Sequence, residues 1–142
     1  MNLNFKLSKN GKLPTKADAG AVGYDLYAAE AVIVPARSWK LVSTGLSWQP
    51  ESNNVEMQIR PRSGLAYKYG ITVLNAPGSI DASYRGNVGV LLMNNSNTDY
   101  RVSIGDRIAQ AVFRKTDEFH LQIVDSLDET ERNDGGFGSS GK

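Results

Sequence analysis

Short runs in which apolar and polar residues alternate recur along this chain, and a turn former cuts each run. Val55, Met57 and Ile59 sit two apart and stop at Pro61. Tyr100, Val102 and Ile104 repeat the pattern up to Gly105. Leu3, Phe5 and Leu7 alternate ahead of Asn10-Gly11, and Leu46 and Trp48 alternate ahead of Pro50. Val32-Ile-Val34 stops at Pro35, and an apolar stretch resumes over Trp39–Val42. A period of two puts alternate side chains on one face of a sheet, so each run predicts a half-buried strand. Turn signals return every 8–12 residues or roughly so, which predicts an all-β sandwich or barrel. The only predicted helix is a short piece from Ser63 to Tyr69.

Composition excludes several classes. The chain has 142 residues, enough for one domain with a real core. Sixteen basic and fifteen acidic residues leave a net charge of +1, and no block of five like charges appears. A nucleic-acid surface or an anionic-membrane surface is therefore not indicated. Cysteine is absent and His120 is the single histidine, which excludes disulfides, thiolate chemistry and a His-rich zinc site. No apolar run is long enough to span a bilayer, and the N-terminus lacks a signal-peptide pattern. The expectation is a soluble intracellular protein, cytoplasmic or nuclear. Asn94-Asn95-Ser96 matches a glycosylation sequon, which that expectation makes irrelevant.

Three stretches hold the residues for chemistry. Asn75 to Gly86 lies between the apolar runs Ile71–Leu74 and Val88–Met93, and predicts a hairpin arm turning at Pro77-Gly78. It carries one carboxylate, Asp81, and one ring, Tyr84. On residue types alone, Asp81 equally suits an Asx turn and Tyr84 equally suits packing. Arg60-Pro-Arg-Ser-Gly-Leu-Ala66 joins a strand to the predicted helix. There Ser63 and Gly64 can aim N–H groups and a hydroxyl at phosphate, or Ser63 can cap its own helix. After Val124 the chain turns polar and acidic, then ends in Gly135-Gly-Phe-Gly-Ser-Ser-Gly-Lys142. Such a segment buries too little to offset its ordering entropy, which predicts a mobile arm over 125–142 beside a barrel domain over 1–124. Gly136 to Lys142 matches the opening of a P-loop, but no strand leads directly into it, so a P-loop is not expected here.

In their order and spacing these pieces resemble the trimeric dUTPases. Five blocks carry the resemblance: Ala19-Gly-Ala-Val-Gly-Tyr-Asp-Leu-Tyr-Ala28, Arg60 to Ala66, Asn75 to Asn94, Gly105-Asp-Arg-Ile-Ala-Gln110, and Arg132 to Gly141. The resemblance implies a jelly-roll-like β-barrel that forms a homotrimer with an exchanged C-terminal arm. It implies Mg²⁺-dependent hydrolysis of dUTP to dUMP and pyrophosphate, which limits uracil in DNA and supplies dUMP for thymidylate synthesis. Asp81 would be the general base, and Asp25 would hold the metal through water. Ser63, Gly64, Gln110, Arg132, Gly138 and Ser139 would serve the phosphates, and Arg62 would order the arm or Asp81 from behind the substrate. Asn75, Gly78 and Ile80 would meet the nucleoside, Tyr84 the deoxyribose, and Phe137 the uracil face. Two other classes remain: a relative that deaminates dCTP on the same barrel, and a non-catalytic jelly-roll binding module. The Gly-Gly-Phe-Gly tail argues against the first, and Asp81 together with the tail argues against the second.

Overall fold

A computed structural model describes residues 1–141; Lys142, the last residue of the P-loop-like run and of the predicted arm, lies outside the described residues. The strands are β1 (Leu3–Leu7), β2 (Tyr24–Tyr27), β3 (Val32–Val34), β4 (Trp39–Ser43), β5 (Leu46–Pro50) and β6 (Val55–Arg60). After α1 (Ser63–Tyr69) come β7 (Ile71–Val73), β8 (Gly78–Ile80), β9 (Gly89–Asn94), β10 (Tyr100–Val102) and β11 (Arg107–Lys115). All pairings are antiparallel, in the orders β2-β11-β6-β8, β4-β9-β7, β1-β5 and β3-β10. The fold is all-β with one short helix among the described residues, as the punctuated alternation predicts, and it is jelly-roll-like, as the resemblance implies. No helix among the described residues is long and apolar enough to cross a membrane.

The alternation becomes burial in β6, where Val55, Met57 and Ile59 point inward and Glu56, Gln58 and Arg60 stay half-exposed. Trp48, Leu26, Leu46, Met57, Leu92 and Ile108 are among the side chains that fill the interior. Asn94 is buried too, with its amide donating to Val34 O and Thr98 O and its Oδ1 accepting from Ser96. That rules out glycosylation at the sequon in the folded chain. Helix α1 stops at Gly70, whose φ of 67° suits the left-handed cap and whose N–H bonds Ala66 O.

Four expectations need correction. The stretch 75–86 is not a plain hairpin tip. β7 and β9 pair as hairpin strands do, but the connection between them carries β8, which leaves for the other sheet and pairs with β6. Gly78 does not serve a positive-φ turn; it begins β8, and a Cβ there would come 3.1 Å from Asn75 Nδ2. Ser63 caps nothing: Arg62 is the N-cap residue and no side chain caps the helix. Ile104 falls outside β10, because Ser103 to Asp106 closes a turn with Gly105 at φ 86°. Apart from these four, β11 ends at Lys115 and residues 121–124 lie in no strand, with Leu121 94% exposed.

One turn depends on glycine twice over. Gly45 sits at φ 68°, and a Cβ on it would lie 2.7 Å from Gly11 Cα. Its carbonyl accepts from both the N–H and the hydroxyl of Ser8. Gly45→Ala therefore combines left-handed strain with a backbone collision, and should lower unfolding free energy by about 1–3 kcal/mol. A denaturant midpoint equal to wild type would refute the dependence.

Candidate active site

The predicted residues fall into three groups. The first forms where β8 ends. Ile80, Asp81 and Tyr84 line a cavity of about 430 Å³, facing Leu41 and Ser43 of β4 across it. The Asp81 carbonyl accepts from Tyr84 N–H at 3.1 Å, which closes a tight turn and sets the carboxylate and the ring on one rim. Tyr84 Oη donates to Asn87 O at 3.0 Å, and the ring lies so close over Gly86 that a Cβ there would strike it. The ring is thus pinned flat, as a wall rather than a core residue; it is 44% exposed.

The second group forms around the centre of β11. The register sets Gln110 opposite Asp25 on one side and opposite Arg60 on the other. Asp25 takes Arg62 Nε on Oδ1 at 3.1 Å and Arg107 Nη1 on Oδ2 at 3.5 Å. Arg62 also reaches Arg107 O at 3.3 Å. Gln110 Nε2 donates to Pro61 O at 2.8 Å, and its side chain occupies the space a Cβ on Gly23 would need. Ser63 and Gln110 share a second cavity of about 480 Å³ with Arg60, Pro61 and Pro77. Gly64 stands open, with nothing within 4 Å of where a Cβ would be. Asp25 faces two guanidinium groups, those of Arg62 and Arg107, which leaves a local excess of positive charge suited to phosphate oxygens.

The third group lies on the C-terminal segment. Arg132 Nε donates to Gly135 O, and three tight turns follow, closed by Gly135, Ser139 and Gly141 N–H groups. Phe137 has φ 51° and is fully exposed, with Gly138 next to it at φ 84°. The first two cavities share no lining residue, and none of the arm residues lines either. Asn75 packs on Gly78 rather than facing the Asp81 cavity.

Sequence reasoning gave Arg107 no role of its own, although it lies within the fourth block, and passed over Leu41, Ser43 and Asn87. Nothing local marks the latter three. Leu41 and Ser43 reach the cavity because β4 pairs with β9, and Asn87 because its carbonyl takes the Tyr84 hydroxyl.

A family model described as dUTPase matches residues 9–141. The deoxyuridine 5'-triphosphate nucleotidohydrolase of Wolinella succinogenes is 49% identical over 97% of this chain and 92% of its own length. That of Nautilia profundicola is 47% identical over 96% of each. Among solved structures, the dUTPase of Staphylococcus bacteriophage 80alpha with dUPNHPP superimposes with a TM-score of 0.89 at 27% identity, covering 99% of each chain.

The Asp25 cluster predicts a measurable coupling. Asp25→Ala removes the acceptor and Arg62→Met the donor of the same short contact, so a double-mutant cycle in unfolding free energy should show about 1–2 kcal/mol of interaction. Strict additivity would mean that the pair contributes nothing in solution.

Proposed function

Because the chain belongs to the dUTPase family, we propose that it hydrolyses dUTP to dUMP and pyrophosphate, with Asp81 as general base. The observation that carries the reading is the pairing of Asp81 and Tyr84 on one cavity rim. A carboxylate and a flat ring there suit a reacting phosphate beside a sugar. Asp81 accepts a proton from a water as the water oxygen bonds to the α-phosphorus. The bond from that phosphorus to the α–β bridging oxygen breaks, and pyrophosphate leaves. Little covalent chemistry is asked of the protein; positioning and charge neutralisation supply the rate. Tyr84 lies against the deoxyribose and leaves no room for a 2′-hydroxyl. Gly78 and Ile80 present strand backbone to the uracil edge, with Asn75 supporting Gly78 from behind. Removal of dUTP limits uracil in DNA, and the dUMP formed feeds thymidylate synthesis.

Ser63, Gly64 and Gln110, within the cationic surroundings of Arg62, receive the phosphates. Among the described residues no three His, Cys, Asp or Glu side chains gather as a metal cage. Asp25 has each oxygen already engaged by an arginine, and each keeps a lone pair for a water. That donor set fits Mg²⁺ held by substrate phosphates and its own waters, with Asp25 as an outer partner. When bound, the ion would neutralise the triphosphate and polarise its oxygens.

The separation of the three groups supports a site completed in a homotrimer: Asp81 and Tyr84 from one subunit, Ser63 and Gln110 from a second, and the arm over 125–142 from a third. Arg132, Gly138 and Ser139 would then close on the phosphates, and Phe137 would stack on uracil. The exposure of Leu127 and Phe137 supports an arm that serves another copy.

Two experiments test these assignments. Pyrophosphate release should favour dUTP over UTP, dCTP and dTTP, and Asp81→Asn should lower turnover by about 10²–10⁴ with KM little changed. Ammonia released from dCTP would favour the deaminase alternative instead. For the arm, Asp81→Asn subunits are refolded together with subunits cut before Arg132. Random mixing should restore about a quarter of the sites if the arm acts in trans. Activity that stays at the parental floor, with mixing confirmed by mass, would return the arm to its own subunit.

A further inference from the structure

Asp81 is exposed, and no other described side chain hydrogen-bonds its carboxylate. The direction of that carboxylate therefore follows from its backbone. Beneath the turn lies Trp48 of β5, 1% exposed, whose Nε1–H donates to the Asp81 carbonyl at 3.2 Å. An indole has a single hydrogen to donate, and here it goes to this carbonyl. Arg85, on the far limb of the turn, aims Nη1 at Ala82 O at 2.6 Å, Tyr84 O at 3.2 Å and Trp48 O at 3.4 Å. The turn carrying Asp81 and Tyr84 is thus tied to Trp48 twice, once through the ring and once through Arg85 to its main chain. Trp48 is itself held by the core, with its ring centroid 6.1 Å from that of Phe113. Packing alone does not call for tryptophan at this place. Another large apolar side chain would fill the interior and leave the Asp81 carbonyl one donor short.

We infer that Trp48, with Arg85, is a positioning residue that aims the Asp81 carboxylate at the attacking water. The inference rests on the reading of Asp81 as the base. A group that only aims the base changes the rate of the chemical step and has nothing to act on once the base is gone. A group that merely holds the core together changes stability and binding in every background.

The test is a double-mutant cycle read in turnover. Trp48→Phe keeps an aromatic ring inside and removes the N–H. Against wild type, kcat for pyrophosphate release from dUTP should fall about 10-fold. KM, and the affinity for a non-hydrolysable dUTP analogue, should stay within about twofold. In the Asp81→Asn background the same substitution should change the residual single-turnover rate by less than about twofold. Full kcat in a folded Trp48→Phe enzyme overturns the inference. So does an equal fractional loss in both backgrounds. If Trp48→Phe melts below the assay temperature, Arg85→Gln at its exposed position carries the same cycle, with the same expected and overturning results. An active Asp81→Asn enzyme would sink the base assignment and this inference with it. A dead Asp81→Asn enzyme beside a fully active Trp48→Phe enzyme would sink this inference alone.

Discussion

The central strand β11 sets the geometry on which Gln110 and the Asp25 cluster depend. It is the longest in the chain, and it pairs with β2 along one edge and β6 along the other. Strand pairing fixes side-chain face with a period of two, so a slip of one residue would turn Gln110 inward and bring an apolar neighbour out. The register actually adopted puts Asp25, Gln110 and Arg60 in one row. The chain leaving β6 then brings Arg62 back over that row to Asp25. Ala109 and Ala111, both fully buried, flank Gln110 on the opposite face. The apolar pattern that anchors β11 in the core is therefore the same pattern that holds the polar row in place.

The second constraint is the departure of β8 from its hairpin. β7 and β9 belong to one sheet, while the short strand between them joins β6 in the other. This carries Ile80 and Asp81 across the gap between sheets, and Leu41 and Ser43 of β4 then form the facing wall. Main-chain pairing at Gly78 and Ser79 holds the near side, and Trp48 and Arg85 hold the far side. A site built on a turn between two ordered supports needs no long rigid element of its own.

Much of this was legible in the sequence, for reasons tied to range. Val55, Met57 and Ile59 announce β6 because one-sided burial forces a period of two. Ser63 to Tyr69 was found at its true bounds, with Pro61 before it and Gly70 after it. What sequence reasoning missed is non-local. No spacing rule says that residues 25, 62 and 107 will meet, or that a tryptophan at 48 will donate to a carbonyl at 81. Gly78 shows the difference within one residue. Turn chemistry read it as a positive-φ glycine, whereas the fold needs it for the close approach of Asn75. The five ordered blocks named candidate members of the site through family resemblance, while the division of those candidates into separate groups became visible only in three dimensions.

That division bears on how the proposed arm would work. Stacking Phe137 on a base would contribute about 1.5–3 kcal/mol, the scale for burying a phenylalanine ring. Ordering backbone opposes closure by about 1–2 kcal/mol for each residue fixed, and glycine loses the most. The stretch from Arg132 to Ser139 holds three glycines, so the ring alone cannot hold it shut. The balance must come from charge-assisted bonds between phosphate oxygens and the Arg132 guanidinium, with N–H groups near Gly138 and Ser139 adding to it. These bonds are strongest when base and terminal phosphate belong to one molecule, because one ligand then anchors both ends of the segment. Cleavage at the α-phosphorus severs that link and leaves the ring on dUMP and the arginine on pyrophosphate. Neither product by itself offsets the ordering term, so on this mechanism the arm that closes over substrate opens as a consequence of the chemistry.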